Sequence, residues 1–260
     1  MNILDKIVNR KKEEVAEAKK KVSVAELEAN ANFNRQPFVF KEFLLDEKRT
    51  GIIAEFKRRS PSKGLINGTA DVAEVTQAYN LAGAAALSVL TDIDFFGGKA
   101  EDLFKARAVN QIPILRKDFM IDEYQILEAK AWGADIILLI ASILTPQQII
   151  KFGKLAQSLG LNVLLEVHNL EELEKSICPN LDAIGVNNRN LGDFSVNIQT
   201  SFDLVNKIPN EFLKISESAI DNPAVIKELK TVGYNGFLIG ENFMKTNNPG
   251  KGMLEFVKHL

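Results

Sequence analysis

A single cysteine, Cys178, leaves this chain no partner for an internal disulfide, which excludes the stapled fold of a small secreted domain. Histidine is nearly as scarce. His168 and His259 are the only two, and with neither a CxxC nor an HExxH pattern a structural or catalytic zinc site is not expected. No apolar run approaches the ~18 residues a membrane-spanning helix needs. The opening residues, MNILDKIVNRKKEEVAEAKKK, are amphipathic and charged where a signal peptide would be apolar. Charge of one sign is not in excess either: lysine plus arginine (32) nearly balance aspartate plus glutamate (34). No overall field therefore recruits nucleic acid or an anionic membrane, and any anion must be held by a local site. These absences point to a cytoplasmic protein with neither nucleic acid nor membrane as partner, and to chemistry without a metal. A monomer is expected, with weak dimerisation as the alternative.

What is present is an ordinary globular composition, 46% apolar and 25% charged over 260 residues, enough for one large core or two small ones. Residues 1–48 stand apart as a lysine- and glutamate-rich helical extension, followed by VAELEANA and FVFKEFLLDEK, without a convincing strand. Its alternating charges read as a solvated helix face. From 49 to 260 one unit repeats: an apolar, β-branched run, then an amphipathic helical pattern. The runs are IIAEFK, AALSVLTD, IPILRKD, DIILLIAS, NVLLEVH, DAIGVNN, FLKISES and GFLIGEN, eight in all. Helix starts are marked by Asp71 with Glu74 at capping-box spacing, by Thr145-Pro146 and by Asn222-Pro223. Parallel strands joined by right-handed crossovers follow. Eight units in about 210 residues predict a closed (β/α)8 TIM barrel with an N-terminal helical extension. An open doubly wound sheet is the alternative, but the GxGxxG that would mark its first turn is absent.

In a barrel the chemistry sits at the C-terminal ends of the strands. Side chains alternate across a strand, so Ile53, Glu55 and Lys57 share one face of the first run, while Ile52, Ala54 and Phe56 share the other. The all-apolar face suits the helix layer, which leaves Glu55 and Lys57 at the barrel mouth. The third run ends in Lys117, the fifth reaches Glu166, the sixth supplies Asn187 and Arg189, and the seventh Glu217 and Ser218. Ionisable groups crowded at a barrel mouth are costly unless paired or used, so a functional constellation is expected. The fourth run stays apolar to its end, and Leu138 and Ile140 would form an oily wall with Phe96 and Phe119 at the same end. Gly240 at the tip of the eighth lets backbone N–H groups approach an anion, in the region where barrels often bind phosphate. The mouth thus suits a phosphorylated small molecule with an apolar or aromatic end.

Seven ordered segments, AEFKRRSPSKG, DFFGG, ILRKDFMIDEYQI, LLEVHNLEEL, IGVNNRNL, SESAI and LIGENFM, together resemble the indole-3-glycerol-phosphate synthases over essentially the whole chain. That resemblance implies a carboxy-lyase of tryptophan biosynthesis. It would close the ring of 1-(2-carboxyphenylamino)-1-deoxyribulose 5-phosphate, with loss of CO₂ and water and no cofactor. It further implies Lys117 as general acid for the condensation, Glu166 as general base for the dehydration, and Lys57 on the phosphate and as a candidate second acid. Glu55 and Glu217 would hold the lysines and substrate hydroxyls, and Asn187 would orient the reacting chain. Arg189 would add positive charge, and Ser60, Ser218, Ala219, Gly240 and Glu241 would surround the phosphate end. Phe96, Phe119, Leu138, Ile140 and Leu191 would pack on the aromatic ring. Lysine suits the acid if burial and neighbouring cations draw its pKa toward working pH.

Two positions depart from the family's pattern. Ala219 stands where glycine is usual; its backbone N–H is still available, and phosphate binding there is expected only with a negative φ. Glu241 stands where serine is frequent, and its carboxylate is expected to turn away or pair with a lysine. The other readings of the residues are a phosphoribosylanthranilate isomerase-like barrel, a Schiff-base aldolase built on Lys117 or Lys57, and a barrel whose basic helix binds an acidic partner or RNA.

Overall fold

A computed structural model describes residues 3–190, 192 and 194–260. The eight apolar runs are eight parallel strands: Ile52–Phe56, Ala86–Leu90, Ile114–Lys117, Ile136–Ile140, Asn162–Val167, Ala183–Asn187, Leu213–Glu217 and Gly236–Ile239, numbered first to eighth below. Each pairs with its sequence neighbour, and the first pairs with the eighth through Ile52↔Phe237 and Ala54↔Ile239, closing the barrel. The helix starts form where the cap residues stand. Asp71 accepts the N–H groups of Ala73 and Glu74, and Thr145 and Gln148 make a reciprocal capping box ahead of Pro146. Asn222 accepts from Ala224 ahead of Pro223.

Strand alternation sorts the core into two layers. Ile52, Ala54 and Phe56 belong to the layer between strands and helices, with Leu87, Ile137, Leu165 and Ile239. Ile53 turns into the barrel with Leu115, Leu138, Leu164, Ile215 and Leu238. The helix Phe40–Leu44 adds Phe40 and Leu44 to this inner layer. It sits at the strands' N-terminal end, where Asn162 at the start of the fifth strand accepts the Phe40 N–H. With that end filled by apolar side chains, polar groups collect at the other.

The N-terminal helix Ile3–Lys21 lies against the C-terminal end, and not all of its charge is solvated. Lys11 is only 3% exposed, and its ammonium reaches Asp92 at 2.9 Å, Asp118 at 2.8 Å and Glu14 at 2.6 Å. Arg10 bonds Asp94 at 2.6 Å on the rim. This corrects the solvated-face expectation: the Lys/Glu alternation is local, but the partners that bury Lys11 come from the loops after the second and third strands. No described helix is long and apolar enough to cross a membrane.

Candidate active site

Two adjoining cavities open at the C-terminal end of the strands. The inner one is lined by Glu55, Lys57, Ser60, Lys117, Glu166, Asn187, Arg189, Glu217 and Ser218, with Phe96, Phe119, Leu138 and Ile140 as its apolar wall. The outer one shares Glu55, Lys57, Arg189, Ser218 and Glu241 with it and adds Ala219, Gly240, Lys63 and Lys245. Every site residue expected from the sequence therefore borders one cavity or both, except Leu191, which lies outside the described residues.

At the centre the Lys117 ammonium donates to Glu166 and to Glu217, both at 2.8 Å. Three strands, the third, fifth and seventh, thus end on one charge cluster. On the first strand Glu55 pairs with Lys57 at 2.7 Å and accepts from Ser88 Oγ at 3.3 Å. Glycines on neighbouring strands make the room. A Cβ at Gly185 would stand 2.2 Å from a Glu217 carboxylate oxygen, and one at Gly240 2.5 Å from a Glu55 oxygen. At such separations the carboxylates would have to move, so these two glycines set where the charges sit. Asn187 Oδ1 accepts from the Arg189 N–H at 3.0 Å and from Ser218 Oγ at 2.9 Å, tying the sixth strand's tip to the seventh's. Behind it, Asn188 donates to Ser216 Oγ and the Glu217 carbonyl.

The charges are strongly biased. Burial pulls the Lys117 ammonium down, but Glu166, Glu217 and Glu55 more than offset it and hold the group well above the ordinary lysine range. The expectation of a lowered lysine is corrected here: the groups that face Lys117 are carboxylates, not cations. Burial pushes Glu166 up, yet Lys117 and then His168 outweigh it and keep the carboxyl far below its usual range. Glu217 goes the other way. Burial, reinforced by Glu166 and opposed by Lys117, pushes it up to about 7. Two carboxylates on one lysine are thereby set apart, one firmly ionised and one near neutrality.

The corner expected to hold phosphate differs from expectation in its backbone. Ser218 and Ala219 have φ of 66° and 61°, so the negative φ expected at Ala219 is corrected. The chain turns left-handed off the seventh strand, a shape glycine takes freely and alanine adopts at a cost of about 1–2 kcal/mol. The helix after Gly240, Glu241–Met244, is a single turn, so the positive character of the outer cavity comes mainly from Lys57, Lys63, Arg189 and Lys245. Glu241 pairs with Lys63 and with Arg189, each at 3.5 Å.

Several contributors escaped the sequence reading. Ile3, Leu4 and Ile7 of the N-terminal helix roof the inner cavity beside Phe96 and Phe119, whose ring centroids lie 5.9 Å apart. An apolar stripe opposite a charged face was the available signal. Lys11 holds that roof down. Asp92, which it neutralises, accepts the N–H groups of Phe95 and Phe96. Asp118, its other partner, follows Lys117 directly and accepts from Thr91 Oγ1 at 2.6 Å. Lys11→Met leaves buried Asp92 without its cation and Asp118 with Arg116 alone, 3.2 Å away. It is expected to cost about 3–5 kcal/mol of stability, read as a lower urea midpoint at unchanged slope. A loss below about 0.5 kcal/mol would show that Arg116 alone suffices for Asp118.

Comparison with known proteins gives the same picture. The family model for indole-3-glycerol phosphate synthase matches residues 4–256. The indole-3-glycerol phosphate synthase of Bacteroides thetaiotaomicron is 46% identical over 259 residues, covering 100% of this chain and 99% of that protein. Among solved structures, one titled a native KDPGal structure superposes with a TM-score of 0.58 at 11% identity, over 82% of this chain and 93% of its own. N-acetylmannosamine-6-phosphate 2-epimerase from Clostridium perfringens has a TM-score of 0.58 at 16% identity, over 84% and 96%. At such identities these two share the barrel and nothing more. The match across nearly the whole length to one family model and to a close relative settles the family: this chain belongs to the indole-3-glycerol phosphate synthases.

Proposed function

We propose that the cluster around Lys117 performs the family's reaction, ring closure of 1-(2-carboxyphenylamino)-1-deoxyribulose 5-phosphate to indole-3-glycerol phosphate, with the residue roles set out below. The observation that carries this assignment is one ammonium held at 2.8 Å by two carboxylates, between an apolar wall and a cationic rim. The rim would hold the phosphate and the wall the aromatic ring, pressing the ring carbon against the ribulosyl carbonyl. Such gripping of both ends is worth several kcal/mol of near-attack geometry.

Lys117 protonates the carbonyl oxygen as the carboxylate-bearing ring carbon attacks, and departure of CO₂ restores the aromatic ring. Once Lys117 has given its proton away, Glu166 has lost its principal counter-charge and its proton affinity rises. The acid step thereby prepares the base that removes a proton from C1. The hydroxyl leaves as water with a second proton, which Lys57 supplies. Two protons go to oxygen and one returns from carbon, so each turnover takes one from solvent. Glu217, near neutrality, and Glu55 hold the two lysines in place, and Asn187 orients the substrate chain. The proposed setting is a cytoplasmic monomer.

The two inward residues of the first strand separate the roles. Lys57→Ala is expected to raise KM strongly, because a charge-assisted phosphate contact is lost. Glu55→Gln, which removes charge but not volume, should lower kcat and leave inhibition by inorganic phosphate unchanged or stronger. If both variants keep KM, kcat and phosphate inhibition within about twofold of wild type, ~0.4 kcal/mol, this assignment of the strand end is wrong.

A further inference from the structure

His168 stands two residues beyond Glu166 at the end of the fifth strand, and the reaction as described leaves it without a task. Its ring is wedged between two carboxylates: Nδ1 is hydrogen-bonded to Glu172 Oε2 at 3.0 Å, and the buried Nε2, which makes no hydrogen bond among the described residues, faces Glu166 Oε1 at an ion-pair distance of 3.4 Å. The Glu166 carboxylate is thus divided, one oxygen on Lys117 and the other facing His168. Glu172 is itself fixed: it accepts the His168 backbone N–H at 2.9 Å and the Asn169 side-chain amide at 3.2 Å. A ring with a carboxylate at each nitrogen needs both nitrogens protonated to serve them, which makes it a cation. On its outer side lies a separate polar cavity bordered by Ser142, Asn169, Asn188 and Thr200.

We infer that His168 is a positioning residue for the general base, a second cation that keeps Glu166 ionised and aimed into the pocket when Lys117 has given up its proton. The inference rests on the base role proposed for Glu166. Lys117 binds Glu166 for only part of the cycle, whereas His168 transfers no proton in the proposed sequence and stays charged throughout. Burial opposes the imidazolium, but Glu166 and Glu172 push it up to about 10, so it persists across the working range. The charges that face this pair are Lys117 from the third strand, Glu217 from the seventh, Glu55 from the first by way of Lys117, and Glu172 with Lys175 from the following helix. Arg189 shares the outer cavity's wall.

The test is the pH profile of kcat, which reports ionisations in the substrate-bound enzyme, for wild type, His168→Gln and Glu172→Gln on the carboxyphenylamino-deoxyribulose phosphate, whose own ionisations are common to all three. Removing a cation beside a carboxylate raises its pKa, so the acid limb of His168→Gln should move up by about one to three pH units. Between the wild-type limb and the displaced one, activity should fall about tenfold for each unit of displacement and recover toward wild type as pH rises. Glu172→Gln, which leaves the ring but weakens its charge, should move the limb the same way by less. A uniform loss at all pH values with an unmoved limb, or a lower melting temperature alone, would reduce His168 to a structural residue and overturn the inference. Glu166→Gln keeps the two levels distinct. Full activity in that variant defeats the base role itself, whereas an inactive Glu166→Gln beside an unmoved His168→Gln limb defeats only the role of His168.

Discussion

Lys117→Met should lower kcat by about a thousandfold, within the 10²–10⁴ that a positioned acid contributes, while inhibition by product shifts by no more than about threefold. Methionine keeps the stem and its contacts but cannot protonate the carbonyl oxygen. The charge that Lys117 answers develops only as the carbon–carbon bond forms, so the loss falls on turnover and not on ground-state binding. Two opposing effects bear on affinity. The variant loses a cation from the pocket, but it also leaves Glu166 and Glu217 facing each other without the ammonium that bridges them. Glu217, already pushed up to about 7, can take a proton and relieve that repulsion. Single-turnover measurement separates chemistry from product release. A variant that keeps more than about half of wild-type kcat, with chemistry limiting, would remove Lys117 from the acid role.

Glu166→Gln should cost a comparable factor, about 10²–10⁴, but at a later step. The amide preserves shape and its oxygen can still accept from Lys117, yet it cannot accept the C1 proton. Condensation and decarboxylation, which need Lys117, should proceed. Rapid-quench samples should then contain a ring-closed, decarboxylated compound that still carries its hydroxyl. Recovery of unreacted substrate alone would place Glu166 before decarboxylation, and the idea that Lys117 readies its base by giving up a proton would fall with it.

How much of this could be read from the sequence follows from the range of each signal. The inward placement of Glu55 and Lys57 was legible because alternation along IIAEFK is a local rule, and the structure keeps Ile52, Ala54 and Phe56 in the outer layer. Thr145-Pro146 and Asn222-Pro223 were legible as helix starts for the same reason. Lys11 was not. Its neighbours in sequence describe a solvated face, and only the loops carrying Asp92 and Asp118 turn it into a buried cation. The direction of the Lys117 shift also escaped, since burial alone pulls a lysine down and the carboxylates that reverse it lie on three other strands. Ala219 was misjudged because a side chain that disfavours positive φ was taken to exclude it; the fold imposes 61° there nonetheless.

The central claim is that this barrel closes an indole ring at Lys117, and the most direct measurement is fluorescence of indole-3-glycerol phosphate. Purified protein is mixed with synthetic 1-(2-carboxyphenylamino)-1-deoxyribulose 5-phosphate and no added metal, and CO₂ release is followed alongside. The account predicts indole fluorescence and CO₂ appearing in equal amounts with wild type, and both about a thousandfold more slowly with Lys117→Met. Substrate left intact by wild type, or a borohydride-trapped adduct on Lys117 or Lys57, would contradict it.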